Sequence, residues 1–207
     1  NSFHAAKFKC MKFFKSFLFV AALSLQVLAH GQAVINPAIE TTLNQFIEYS
    51  NKQDWDKAFD LLYPKLFTKV AKQDLMDVIT GMEADGLSLQ MANTHITSTS
   101  VPVKDGDETF VRVQYVSDLT VNIKTGGLYD YPKSIQAIEE QFKATYGATN
   151  VKWDAGAKQF HIVANKAMIA IEGQDGAWKL VEVNMDQPAL MESLFSPAVM
   201  DALVRQD

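Results

Sequence analysis

Acid–base chemistry has few carriers in this chain. Of its four histidines, His4 and His30 fall in an N-terminal leader, which leaves His95 and His161 as imidazoles able to take or give a proton near neutral pH. Each lies on an expected strand, where an exposed or hydrogen-bonded histidine is the plainer reading. Asp118 interrupts an alternating apolar run. In regular register it sits on the side opposite Tyr115, as a surface aspartate at a bulge. A bulge that shifted the register would turn it inward, where a carboxylate and a phenol could move a proton between them. His95, His161, Asp118 and Tyr115 are therefore the catalytic candidates.

Other chemistries lack their residues. Neither histidine belongs to a His-x-x-x-His or HExxH pair, so no metal site is expected. The glycines at 126–127 and 173–176 lack the Lys-Ser/Thr of a phosphate loop and the spacing of a dinucleotide loop, and no cofactor is expected. No G-x-S-x-G or Ser-x-x-Lys occurs. The single cysteine, Cys10, precedes Met11, so thiol catalysis and an internal disulfide are excluded. The pocket candidates are aromatic: Trp55, Phe59, Tyr63, Tyr115 and Trp178, each of which could equally be core.

These residues must be positioned by an α+β arrangement. Asn36-Pro37 reads as a cap followed by a first-turn proline. Ile39, Leu43, Phe46 and Ile47 then recur at helical spacing. Trp55, Ala58, Phe59, Leu62 and Tyr63 form a second stripe ended by Pro64, and Leu75, Val78, Ile79 and Met82 a third. The period then switches to two. Leu87 to Val103 reads as a strand, and Lys104-Asp105-Gly106-Asp107 as a hairpin turn. Val111, Val113, Tyr115, Leu119, Val121 and Ile123 share one face of a long antiparallel strand. Ile135, Ile138, Phe142 and Tyr146 suggest an inserted helix. Three short strands follow, around 159–163, 167–172 and 178–183, and short helices around Leu194 and Leu203 close the chain. The expectation is a strongly curved, cone-like sheet with N-terminal helices against it, the Trp55 helix forming its wall.

Export is expected from the start of the chain. Met11-Lys12-Phe13-Phe14-Lys15 is basic, Phe17 to Leu28 is an apolar run too short to span a bilayer, and small residues precede a cut after Gly31 or, as the near alternative, after Ala33. Residues 1–31 are read as upstream sequence and cleaved signal peptide, and 32–207 as one domain, periplasmic or secreted, with no membrane anchor after cleavage. Lys7, Lys9, Lys12 and Lys15 leave with the leader, so a chain already at −5 becomes more acidic. That excludes nucleic acid as the expected partner, since its electrostatic footprint is basic. A small apolar ligand, a protein partner and a homodimer stay open.

Trp55-Asp56-Lys57-Ala58 with Leu61-Leu62-Tyr63-Pro64, and Met168 to Glu172 followed by Asp175-Gly176-Ala177-Trp178-Lys179-Leu180, resemble the nuclear transport factor 2-like (cystatin-like α+β) superfamily, and within it exported bacterial proteins. The resemblance implies a cone-shaped sheet around a helix with a pocket at the open end. It spans isomerases, dehydratases, ligand carriers and adaptors, so it leaves activity undecided. The first reading is a non-enzymatic small-molecule-binding or protein-interaction module with a pocket between the Trp55 helix and the sheet. The alternative is a small isomerase- or dehydratase-like enzyme with an acid/base site in the cone.

Overall fold

Asn36 starts the first helix. In the computed structural model, which describes residues 35–205, its Oδ1 accepts from the Ala38 N–H at 2.9 Å and Pro37 opens α1 (Pro37–Asn51). The expected leader at 1–31, and 32–34 and 206–207 of the expected domain, lie outside the described residues. After α1 come α2 (Trp55–Asp60), a 3-10 turn (Pro64–Thr68) and α3 (Lys72–Ala84). Gly86 ends α3 at φ +92°, a conformation that favours glycine, and a Cβ there would lie 3.1 Å from the Lys124 Cβ. The Lys124 N–H donates to the Gly86 carbonyl at 2.8 Å, which ties the end of α3 to the exit of the central strand.

Six strands form one antiparallel sheet: β1 (Leu87–Thr99), β2 (Val103–Asp105), β3 (Glu108–Ile123), β4 (Val151–Asp154), β5 (Gln159–Glu172) and β6 (Trp178–Glu182). The long strands β3 and β5 pair at its centre. β1 and β2 share the far edge of β3, and β4 and β6 the far edge of β5. The helix α4 (Pro132–Tyr146) is inserted between β3 and β4; α5 (Pro188–Leu194) and α6 (Pro197–Val199), which runs into a π turn (Met200–Val204), end the fold. The α+β class expected from the switch of period is the one found.

Alternation along β3 sets two faces. On the inner face Val111, Val113, Met168, Ala170 and Trp178 pack against Ile39, Leu43 and Ile47 of α1. Further along, Leu119, Val121, Phe160 and Ile162 pack against Ile138 and Phe142 of α4. On the outer face Phe110, Ile169 and Ile171 lie under Met191, Leu194, Val199 and Leu203 of the C-terminal helices. The rest of that face is open, with Gln114 and His161 exposed. The free edge of β6 is closed by the chain leaving α2: the Tyr63 N–H donates to the Leu180 carbonyl, and the Leu180 N–H to the Leu61 carbonyl, both at 2.9 Å.

Three expectations change. The wall on the sheet is α1, whose 15 residues cover the strands. The six-residue Trp55 helix instead packs Trp55 and Phe59 towards Phe67, with ring centroids about 6 Å apart. The bulge is on β1, between Ala92 and His95 and again between Ile96 and Ser98, with Asn93 at φ +50°. The central strand β3 keeps unbroken register with β5 over its length, so the extra residue goes to the edge strand, where an asparagine tolerates positive φ. Finally, the two strands expected at 159–163 and 167–172 are one, β5, which runs straight through Asn165 and Lys166.

Candidate functional site

That continuity brings a lysine into the core. Tyr115 on β3 pairs directly with Lys166 on β5, and Glu182 on β6 pairs with Met168, so Tyr115, Lys166 and Glu182 project from one face. The Lys166 Nζ donates to the Glu182 Oε1 at 2.7 Å. The lysine side chain is 8% exposed and that of Glu182 37%, so the pair reaches solvent through its carboxylate. Tyr146, in the last turn of α4, is buried within the same electrostatic group. The four lie where the apolar clusters under α1 and α4 meet, since Tyr115 belongs to one, Tyr146 to the other, and Met91 packs against both.

Burial raises the phenol of Tyr115 well above its usual range and pushes that of Tyr146 up to about 12; the nearby Lys166 ammonium opposes both shifts without reversing them. For Lys166, burial pulls the ammonium down, but the adjacent Glu182 carboxylate and the two phenols outweigh it and the net direction is up. At neutral pH the site thus presents a charged ammonium and two neutral hydroxyls. Among the described residues, Glu182 is the one hydrogen-bond partner of the ammonium, which carries three donors, and the Tyr115 hydroxyl has none, although that residue is 6% exposed.

A pH prediction follows from Tyr146. Its folded-state value lies above the unfolded value of 10.0, so the folded protein holds that proton longer. The contribution is complete below pH 10 and is lost as pH rises towards about 12, roughly 3 kcal/mol at about 1.4 kcal/mol per unit. Urea denaturation at stepped alkaline pH should give a shallower decline for Tyr146→Phe than for the wild type. Parallel declines would contradict the assignment.

The catalytic candidates from the sequence do not converge. Asp118 stays on the outer face, where its Oδ2 accepts from the Asn93 Nδ2 at 2.7 Å. His161 is exposed on that face opposite Thr120, and His95, also exposed, lies opposite Val116 with its Nδ1 3.1 Å from the Asn93 carbonyl. All three are on the opposite face of the sheet from Tyr115. The pocket candidates also scatter. Trp178 packs with α1 on the inner face and Phe59 lies between Trp55 and Phe67. Tyr63 is on the outer side, stacked on Phe195 and donating to the Glu108 Oε2 at 2.8 Å. Tyr115 alone joins the polar group. Lys166, Glu182 and Tyr146 escaped the sequence reading, yet Phe160, Ile162, Ala164, Lys166, Met168 and Ala170 alternate as one apolar stripe with a single charge in it.

Concavity and chemistry are separate. An open depression of about 650 Å³ lies between the turns at Gly106 and Gln174, and a narrower cleft of about 160 Å³ lies between α1, α3 and β1, with Trp55 among its walls. Neither is lined by Lys166 or Tyr115. The wide depression is an open surface hollow between two turns, floored by Phe110, Leu194 and Phe195, whereas the polar group holds an ammonium and two phenols in shifted electrostatic states in the interior, so the latter is the stronger candidate. Among the described residues no three histidines or carboxylates come together as cation ligands, and no helix is long and apolar enough to cross a membrane.

No protein-family model matches the chain, and no curated protein matches it in sequence. Several solved structures are similar to it, two of which follow. One is described as a candidate polyketide cyclase from Xanthomonas campestris pv. campestris, 14% identical with TM-score 0.35, covering 76% of this chain and 97% of that one. The other is described as a candidate dehydratase of the nuclear transport factor 2-like family from Streptomyces avermitilis, 12% identical with TM-score 0.32, covering 70% and 90%. The chain's own architecture is α+β, helices against one antiparallel sheet. At these scores the likeness carries nothing about chemistry.

Proposed function

We propose that the protein is a small-molecule-binding module whose ligand presents an anionic or carbonyl oxygen to Lys166 and Tyr115 on the inner face of the sheet. The supporting observation is the unused donor capacity of those two buried side chains. A ligand oxygen there would accept a hydrogen bond from a charged donor and one from a neutral donor, worth about 1.5–3 and about 1 kcal/mol. The surrounding Met168, Ile96 and Val113 favour an apolar body on the same ligand. Calorimetric titration with naphthoate tests this, with an uncharged naphthyl alcohol as control. Lys166→Met should weaken naphthoate binding on the order of 10- to 100-fold, the range of a charged hydrogen bond, and Tyr115→Phe by roughly 2- to 10-fold. Equal affinity in both variants and the wild type would refute the site. Export, and with it an extracytoplasmic ligand, is part of this proposal and rests on residues 11–31 alone.

A second reading is an isomerase- or dehydratase-like enzyme. It is favoured by the partly exposed Glu182 carboxylate beside two raised phenols and an ammonium. There Glu182 would remove a proton next to a carbonyl while Lys166 and Tyr115 hold the developing oxyanion. Exchange of the α-protons of a cyclic ketone in deuterated water should be accelerated by the wild type and lost in Glu182→Gln. No acceleration by the wild type leaves the binding module alone.

A further inference from the structure

We propose, on the reading that Lys166 and Tyr115 bind a ligand oxygen, that Glu182 makes the site select a neutral carbonyl over a carboxylate. Strand alternation fixes which side chains share the inner face. They are the odd residues of β3 from Val111 to Ile123, the even residues of β5 from Phe160 to Ala170, and Trp178, Leu180 and Glu182 of β6. Lys166 and Glu182 are the only charged residues in that set. The helix residues packed on it, Ile39, Leu43 and Ile47 of α1 and Ile138 and Phe142 of α4, add no charge. One cation and one anion, with the Nζ 2.7 Å from the Oε1, leave this face neutral as it stands.

A carbonyl and a carboxylate differ in what they do to that balance. A carbonyl oxygen has two lone pairs and no charge, so it accepts from the ammonium and from the Tyr115 hydroxyl while the Lys166–Glu182 pair stays closed. A carboxylate brings a second negative charge to a single ammonium. It either shares the ammonium with Glu182, as two like charges side by side, or drives Glu182 off it. The apolar neighbours Met168, Ile96 and Val113 leave little solvent to screen that repulsion around the buried ammonium. Glu182 is the more exposed member of the pair and has solvent to turn to, so naphthoate still binds, by displacing it. A charge at about 4–6 Å changes the stability of an ionised carboxylate by roughly 10- to 1000-fold, and the solvent around Glu182 places the effect at the low end, about 10-fold.

Calorimetric titration of the full chain with naphthoate and with methyl naphthyl ketone tests the choice. The wild type should bind the ketone more tightly. Glu182→Gln keeps the length of the side chain and an oxygen for the Lys166 Nζ, and removes only the charge. It should tighten naphthoate about 10-fold and change the ketone by less than about 3-fold. A readout in the wild type needs no variant: the side-chain carboxyl carbon of Glu182 should shift saturably with naphthoate and far less with the ketone. A wild type that prefers naphthoate, a Glu182→Gln variant that binds naphthoate no more tightly, or a Glu182 carbon that ignores naphthoate overturns the selection by Glu182. In each of those cases a loss of naphthoate binding in Lys166→Met leaves the site itself standing. Naphthoate binding that Lys166→Met does not change removes the site, and the selection with it.

Discussion

Arg112→Ala is expected to lower stability by about 3–5 kcal/mol, the loss of a charged hydrogen bond to two carbonyls at about 1.5–3 kcal/mol plus the void left by a large buried side chain. The guanidinium is buried on the outer face of β3, and its Nη1 donates to the carbonyls of Leu203 and Val204 at 2.7 and 3.2 Å. Those carbonyls belong to the final π turn, at a helix end where acceptors lack partners within the helix and where the dipole favours a cation. The alanine leaves a void and strips the acceptors of a charged donor. Arg112→Met keeps most of the volume and should lose less, about 2 kcal/mol. For a chain of this size the alanine variant should melt about 10 °C lower. Hydrogen exchange should place the extra opening first in the C-terminal helices. An unchanged melting temperature would show that the C-terminal turn does not depend on this arginine.

Phe59→Ala should cost about 3–5 kcal/mol as well, by a different mechanism. Phe59 is buried between Trp55 and Phe67, and its ring joins α2 to the 3-10 turn that follows. No hydrogen bond is at stake, so the loss is transfer free energy plus a cavity. Trp55 is only half-buried, at the edge of the second cleft, and Trp55→Ala should cost roughly half as much. The sequence treats the two aromatics alike; the structure separates them by burial. Equal urea midpoints for Phe59→Ala and the wild type would mean that this segment is not packed as described.

The fold was legible where local chemistry dictates it. Asn36-Pro37 announced α1, the alternation from Val111 to Ile123 announced β3, and Ile135, Ile138, Phe142 and Tyr146 announced the inserted helix. What periodicity cannot state is which surface a stripe meets. The Trp55 stripe is real, but six residues make a short lid, and α1 takes the sheet. Nor can it state which of two paired strands absorbs an extra residue. Asp118 marked a true irregularity, but the bulge lies in its partner β1, because β3 is held by ladders on both sides. The site was hidden for a related reason. Asn165 and Lys166 look like a break between two short strands, and reading them as a break conceals a charge in the middle of an apolar stripe. Its partner Glu182 lies on the next strand, a relation that only the ladder creates.

The central claim is that Lys166 offers donors to a ligand. The most direct measurement is the chemical shift of its side-chain Cε and Nζ during titration with naphthoate, with the exposed Lys104 as internal reference. The account predicts a saturable shift at Lys166 that is absent at Lys104 and diminished in Tyr115→Phe. A Lys166 signal that stays fixed while naphthoate binds, or that moves in step with Lys104, would contradict it.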